Sequence, residues 1–409
     1  MYELLGKLRV IEGAAFVAAP SCGLYLAQFG AEVIRFDQIG GGPDYHRWPL
    51  APGGASFYWE GLNKGKKSIA IDLTTSAGRE LAVAVVCAAG EAAGLFVTNY
   101  PPHGFLSYQA LRPVRKDIIC VRVMGWPDGS PALDYTVNAA AGLPLMTGPV
   151  DHDAPVNHVL PAWDLLCGSY AAFALLAAER DRRETGAGRE IRIPLSDLAA
   201  ATLSNLGCVA EVMSRGVDRG RLGNDLYGTF GRDFMTASGC RVMVCAITPR
   251  QWSALVTALD LGEAVAALES RLGVAFARDE SARFQHRREL FALFEPVFAS
   301  RSIDSLAAAL DAAGVTWSRY QSVHTAVTTD ARLFTGNPLF ERVAQPSGFD
   351  YPSAGPPATL VGTARRPLAP APRLGQHTDE ILASVLGLSA AAIGRLHDAG
   401  VVSAPEAFA

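Results

Sequence analysis

Asp164 is conspicuous for where it sits. It opens the run DLLCGSYAAFALLAAER, in which the next charged residue is Glu179. A carboxylate at the mouth of so apolar a segment must be held by donors or used for chemistry, because an unpaired buried charge is costly or forces a pKa shift. Two readings follow. In one, Asp164 is a helix N-cap, a position that Asp favours. In the other it is a nucleophile, kept ionised by the helix dipole and the free N–H groups of the first turn, an effect of about 0.3–1 kcal/mol for an exposed charge. A second group lies upstream: Gly40-Gly41-Gly42-Pro43, Tyr45-His46-Arg47-Trp48, Phe57-Tyr58-Trp59 and Asn63-Lys64-Gly65-Lys66-Lys67. Its glycines would let backbone approach a phosphate, its lysines would neutralise one, and its rings could stack on an adenine or a cation. By charge pattern alone the same run is a solvated surface loop.

The elements that must position these residues are legible in outline. Residues 8–11 form a short apolar strand, a helix begins near Pro20 and ends at Gly30, and 31–36 form a second strand closing on Asp37. That is a β-α-β unit with a right-handed crossover. Further strands at 68–72, 95–98, 118–123 and 190–194, with a helix at 78–88, predict an α/β fold with a doubly wound sheet. An acid after the second strand suggests a dinucleotide site, yet GAAFVAAPSCG lacks GxGxxG and Pro20 removes an N–H that a pyrophosphate would use. Loops at strand C-termini bind ligands in such sheets, which brings Asn99-Tyr100 and Gly125-Trp126 toward a site. Asp134 heads a polar segment just before the central helix, and by itself reads as a cap.

The charged, glycine-rich stretch 214–225 reads as a linker between a large domain (1–213) and a small α+β domain (226–325). Prolines crowd between 349 and 375, making an extended connector within 326–409, and two short amphipathic helices, 378–386 and 389–397, finish the chain. Such a tail needs a surface, so it is expected to return to the first domain or to a partner subunit.

Composition narrows the class. The 409 residues are 49% hydrophobic and 19% charged, with a net charge of -4, which gives no general pull toward nucleic acid or an anionic membrane. The seven cysteines form no CxxC pair, so neither a zinc site nor a disulfide framework is expected, and no metal is. The N-terminus has no secretion signal, and the longest apolar stretch, 165–178, is shorter than the ~20 residues of a membrane span. The expectation is a cytoplasmic protein.

Six segments in register go further: LAQFGAEVIRFDQIGGGPDYHRW, NKGKKSIAIDL, TNYPP, DYTVNAAAGLPLMTG, AWDLLCG and PAPRLGQHTDEIL. In this order, from Leu8 to about Val402, the sequence resembles family III CoA-transferases. The resemblance implies a Rossmann-like large domain formed by both chain ends, a smaller α+β domain, and an interlocked homodimer. It implies coenzyme A as part of the substrate, with no tightly bound cofactor, and it places the catalytic carboxylate at Asp164. By motif position it implies Arg35 and Gln38 near the adenine or phosphates, Lys64 or Lys67 at a phosphate, and Asn99 near the pantetheine. His46 and Arg47 are candidates for the substrate's free carboxylate, since a guanidinium grips one bidentately, and Asp134 is a further candidate substrate contact. His158 is expected to be structural, because no proton transfer to carbon is needed. FYWEGLNKGKKSIAID, VNHVLPAWD and LYGTFGRDF look closest to members that move CoA between the two carboxylates of one C5 unsaturated dicarboxylic acid. Leu133 stands where racemases of the superfamily carry a histidine. An intermolecular transferase, a racemase and a non-catalytic CoA-binding protein stay open as alternatives.

Overall fold

The computed structural model describes residues 1–405. The last four residues of the expected C-terminal segment lie outside the described residues. The main sheet has six parallel strands: β1 (Arg9–Gly13), β2 (Glu32–Gln38), β3 (Lys67–Ile71), β4 (Leu95–Thr98), β5 (Ile119–Met124) and β6 (Arg189–Pro194). Their order is β3-β2-β1-β4-β5-β6, so the winding reverses between β1 and β4. That reversal opens a crevice at the strands' C-terminal ends. β4 and β5 are buried throughout, as strands covered on both faces must be.

The first nine helices in order are α1 (Ala18–Gln28), α2 (Phe57–Asn63), α3 (Ser76–Val86), α4 (Tyr108–Leu111), α5 (Asp134–Ala140), α6 (Leu143–Met146), α7 (Ala162–Thr185), α8 (Leu195–Asn205) and α9 (Cys208–Arg215). The predicted apolar helix is α7, opening directly behind Pro161 and ending on Gly186 in the left-handed region. It packs closely on α1 because residue 168 is glycine. A Cβ there would lie 2.6 Å from Ser21 Cβ and 2.7 Å from the Ala18 carbonyl oxygen.

The C-terminal segment does return to this sheet. His377 N–H donates to the Ser68 carbonyl and Asp72 N–H to the Val401 carbonyl, both at 2.9 Å. Helices Thr378–Leu386 and Ala390–Asp398 bring Ile381, Leu382 and Ile393 into one core with Ile34, Phe36, Ile69 and Ile71. Within the proline-rich stretch, β10 (Phe340–Ala344) and β11 (Asp350–Ala354) pair antiparallel, and 355–377 contain no helix or strand.

The chain divides into two compact units. The first holds Met1–Ala141, His158–Gly216 and Gly336 onward; the second holds Gly142–Asn157 and Val217–Thr335. The second contains the antiparallel strands β7 (Phe230–Met235), β8 (Arg241–Ala246) and β9 (Thr316–Arg319) over an aromatic core of Phe230, Phe234, Trp252, Phe276, Phe294 and Phe298. Two sequence boundaries differ from this division. Residues 142–157 fall in the second unit, where Arg221 holds them by the carbonyls of Leu145 (3.0 Å) and Ala154 (2.7 Å). The second unit also runs to Thr335 rather than 325. Among the described residues no helix is long and apolar enough to cross a membrane.

Candidate active site

A cavity of about 460 Å³ opens at the C-terminal ends of β1, β4 and β5, where the sheet reverses. Phe16, Val17, Asn99, Tyr100, Met124 and Asp164 line it, all from the first unit. Asp164 is thus brought to the switch point by α7, one turn ahead of the Gly168 contact.

The first turn of α7 is capped by a residue distant in sequence. Asp134 Oδ2 accepts from the N–H groups of Trp163 (2.6 Å) and Asp164 (3.0 Å), while its Oδ1 bonds His158 Nε2 at 2.6 Å. Trp163 Nε1–H donates to Asn138 Oδ1 at 3.2 Å, tying α7 to α5. The helix donors expected to hold Asp164 are therefore spent on Asp134. Burial and the neighbouring Asp134 carboxylate push the Asp164 carboxyl up to about 7, the reverse of the expected depression. A carboxylate so placed is desolvated and, among the described residues, has no cationic partner, which favours attack on an electrophile once it is ionised.

The cavity lining also carries backbone strain. Phe16 has φ of 70°, in the left-handed region that β-carbon-bearing residues avoid, and such residues cluster at functional sites. Its ring centroid lies 5.6 Å from the Arg47 guanidinium carbon, which is also 5.4 Å from the Tyr58 ring. Asn99 is held by Ala15: its Oδ1 accepts from Ala15 N–H (3.2 Å) and its Nδ2–H donates to the Ala15 carbonyl (2.9 Å). Asp164 and Asn99 share the cavity wall, and Arg47 adjoins it through Phe16.

Other expected contacts are not assembled there. Arg35 is 0% exposed, its guanidinium engaged by Asp37 (2.8 Å), Asp44 (2.9 Å) and Glu12 (3.3 Å), in a buried charge cluster outside the cavity lining. Gln38 donates to Asp72 and accepts from Leu73 N–H, bracing the ends of β2 and β3. Lys67 begins β3, at the sheet's opposite edge from the cavity, and is paired with Glu32 and Glu380 at 2.7 Å each. Lys64 ends α2 away from the cavity lining, and burial lowers its pKa. His46 is exposed, its Nε2 bonded to the Gly40 carbonyl at 2.9 Å. Asp134 is buried, with its oxygens engaged by α7 and His158. Phe16 was not singled out by spacing; Tyr58 stood in an aromatic run able to face a cation and Asp134 read as a cap, but nothing local showed that the helix it caps is α7. The buried charges were signalled by Glu12 and Arg35 interrupting otherwise apolar strands. Among the described residues no group of three or more His, Cys, Asp or Glu could hold a metal ion.

The profile of CoA-transferase family III matches residues 5–378. The chain belongs to this family. A 2-methylfumaryl-CoA isomerase from Chloroflexus aurantiacus is 51% identical over 99% of both chains. A succinyl-CoA:D-citramalate CoA-transferase of the same organism is 27% identical over 94% of both, and the human succinyl-CoA:glutarate CoA-transferase is 26% identical over 98% of this chain and 90% of its own. The crystal structure of a CAIB/BAIF family protein from Brucella suis superposes with a TM-score of 0.75 at 24% identity, covering 94% of this chain and 100% of that one. It shares the fold of this family III CoA-transferase.

Proposed function

We propose that this enzyme moves CoA within one molecule, converting 2-methylfumaryl-CoA to 3-methylfumaryl-CoA, with Asp164 as the nucleophile. The observation that carries this is the full-length 51% identity to an enzyme of that name. The cavity supports it chemically, since a desolvated carboxylate, Asp164, lines it.

The steps balance without an outside acceptor. An Asp164 oxygen attacks the C1 thioester carbonyl; the C–S bond breaks, leaving a mixed anhydride and CoA thiolate. The thiolate attacks the aspartyl carbonyl, giving an aspartyl-CoA thioester and the free diacid. The C4 carboxylate then attacks that thioester, expelling the thiolate again and forming an anhydride through C4. Thiolate attack at C4 completes the thioester and returns Asp164 as a carboxylate. No proton leaves carbon, so His158 remains a positioning group for Asp134 rather than an acid or base.

CoA is a substrate component here, not a resident cofactor, and Asn99 is the proposed contact for its pantetheine arm. Arg47, exposed at the rim and without a carboxylate partner among the described residues, is the proposed holder of the acyl group's free carboxylate. Leu166, Tyr170 and Phe173 leave an apolar stripe exposed on α7, and Val209 and Met213 another on α9. These stripes support a homodimer.

Incubation with 2-methylfumaryl-CoA and labelled free 2-methylfumarate tests the reaction. Isomerised product without label is expected; label in the thioester would instead favour intermolecular transfer. Asp164→Ala is expected to abolish turnover in either case.

A further inference from the structure

A hydroxyl fixes where Arg47 stands. Ser56 is 2% exposed, and its Oγ–H donates to the Arg47 carbonyl at 2.6 Å while its Oγ accepts from Trp59 N–H at 3.1 Å. A hydroxyl has one proton and two lone pairs, so it makes both bonds at once. One oxygen thereby caps α2 and pins the main chain of Arg47. The same cap orients Tyr58, two residues on, whose ring is one of the two faces against the Arg47 guanidinium. The loop is anchored from its other end as well. Asp44, three residues before Arg47, accepts from Arg35 Nη2 at 2.9 and 3.1 Å, and Arg35 lies 4.5 Å over the Trp59 ring.

We infer that Ser56 is a positioning residue for Arg47, acting through the main-chain bond that joins the Arg47 loop to the cap of α2. This rests on the reading that Arg47 receives the acyl group's free carboxylate. The physical reason lies in the side chain itself. Arginine carries large rotamer freedom, and a loop that also moves would have to be ordered afresh each time substrate binds. With its main chain fixed and its planar group beside two aromatic faces, Arg47 keeps its N–H edge available for a bidentate carboxylate. Without the hydroxyl, the Arg47 carbonyl and the Trp59 N–H lose a partner and the loop is released. The chemical step at Asp164, on a different element, is not directly touched.

The test is a double-mutant cycle in the full-length protein, reading kcat and KM for 2-methylfumaryl-CoA and the Kd of free CoA as control. Ser56→Ala is expected to raise KM about tenfold, the scale of losing a buried hydrogen bond and stranding its partners, with kcat and the CoA Kd little changed. Arg47→Ala is expected to raise KM further, and Ser56→Ala in that background to add nothing, because its effect passes through Arg47. Ser56→Thr, which keeps the hydroxyl, should restore most of the affinity. If Ser56→Ala does not fold, Ser56→Gly carries the same expectation, since glycine is tolerated at an N-cap. An unchanged KM, or a Ser56 effect that persists fully in the Arg47→Ala background, overturns the inference. A KM indifferent to Arg47→Ala itself instead overturns the carboxylate reading, and the inference falls with it.

Discussion

A carboxyl held near pH 7 is half ionised at neutrality, which makes Asp164 measurable. If it attacks as the carboxylate, kcat/KM should rise with pH and level off above about 7. Asp134→Asn removes the like charge beside it and should move that inflection to lower pH, with the loss of a charged cap costing about 1 kcal/mol of stability. The same shift has a stability sign. Below about pH 4 folded and unfolded chains both hold the proton, and the shift contributes nothing. Between about 4 and 7 the unfolded chain releases it first, so stability falls as pH rises, and the full penalty is present above about 7. Asp164→Asn should therefore be more stable than the wild type by about 2–4 kcal/mol at pH 8, with the difference gone near pH 4, as measured by urea unfolding. Asp164 was legible because a lone acid before an apolar run is rare. The direction of its pKa was not, because the group that takes its helix donors lies 30 residues earlier.

At the scale of elements, α7 brings Asp164 to the crevice only as closely as α1 allows. Gly168→Val would drive side-chain atoms into Ser21 and the Ala18 carbonyl, a backbone group that cannot yield. A loss of about 1–3 kcal/mol is expected, with a lower thermal midpoint and a reduced kcat, since the helix carrying Asp164 must move. A variant with unchanged midpoint and kcat would contradict this packing. The strands were the most legible elements, because doubly covered strands are continuous apolar runs; 95–98 matches β4 residue for residue. Segment 142–157 was not legible. Its place depends on hydrogen bonds from Arg221, about 70 residues downstream, and nothing local in composition announces them. Lys67 was not legible as a strand residue: the strand expected at 68–72 begins one residue earlier, and nothing local announces that Glu32 and Glu380 pair with Lys67.

For the molecule as a whole, the question is what covers α7 and α9. Leu166, Tyr170 and Phe173 recur at helical spacing on the face turned away from α1, and Phe173 is 66% and Met213 80% exposed. Aromatic and methionine side chains left in water at this density are characteristic of contact surfaces. In a homodimer with two-fold symmetry each such residue occurs twice at the interface, so one substitution acts at two places. Phe173→Glu would carry two carboxylates into an apolar contact, where a charge without a partner is strongly unfavourable. Light scattering after size exclusion should give a dimer for the wild type and a shift to monomer for Phe173→Glu, with the far-ultraviolet circular dichroism of the first unit retained. A wild-type monomer at micromolar concentration would remove the argument for these faces. A dimer indifferent to Phe173→Glu would place the contact elsewhere on the chain. An interlocked dimer, as the family resemblance implies, would add one more expectation, since threaded chains cannot separate without opening: dissociation of the wild type on dilution should be far slower than for a dimer joined by surface contact alone, and should track unfolding.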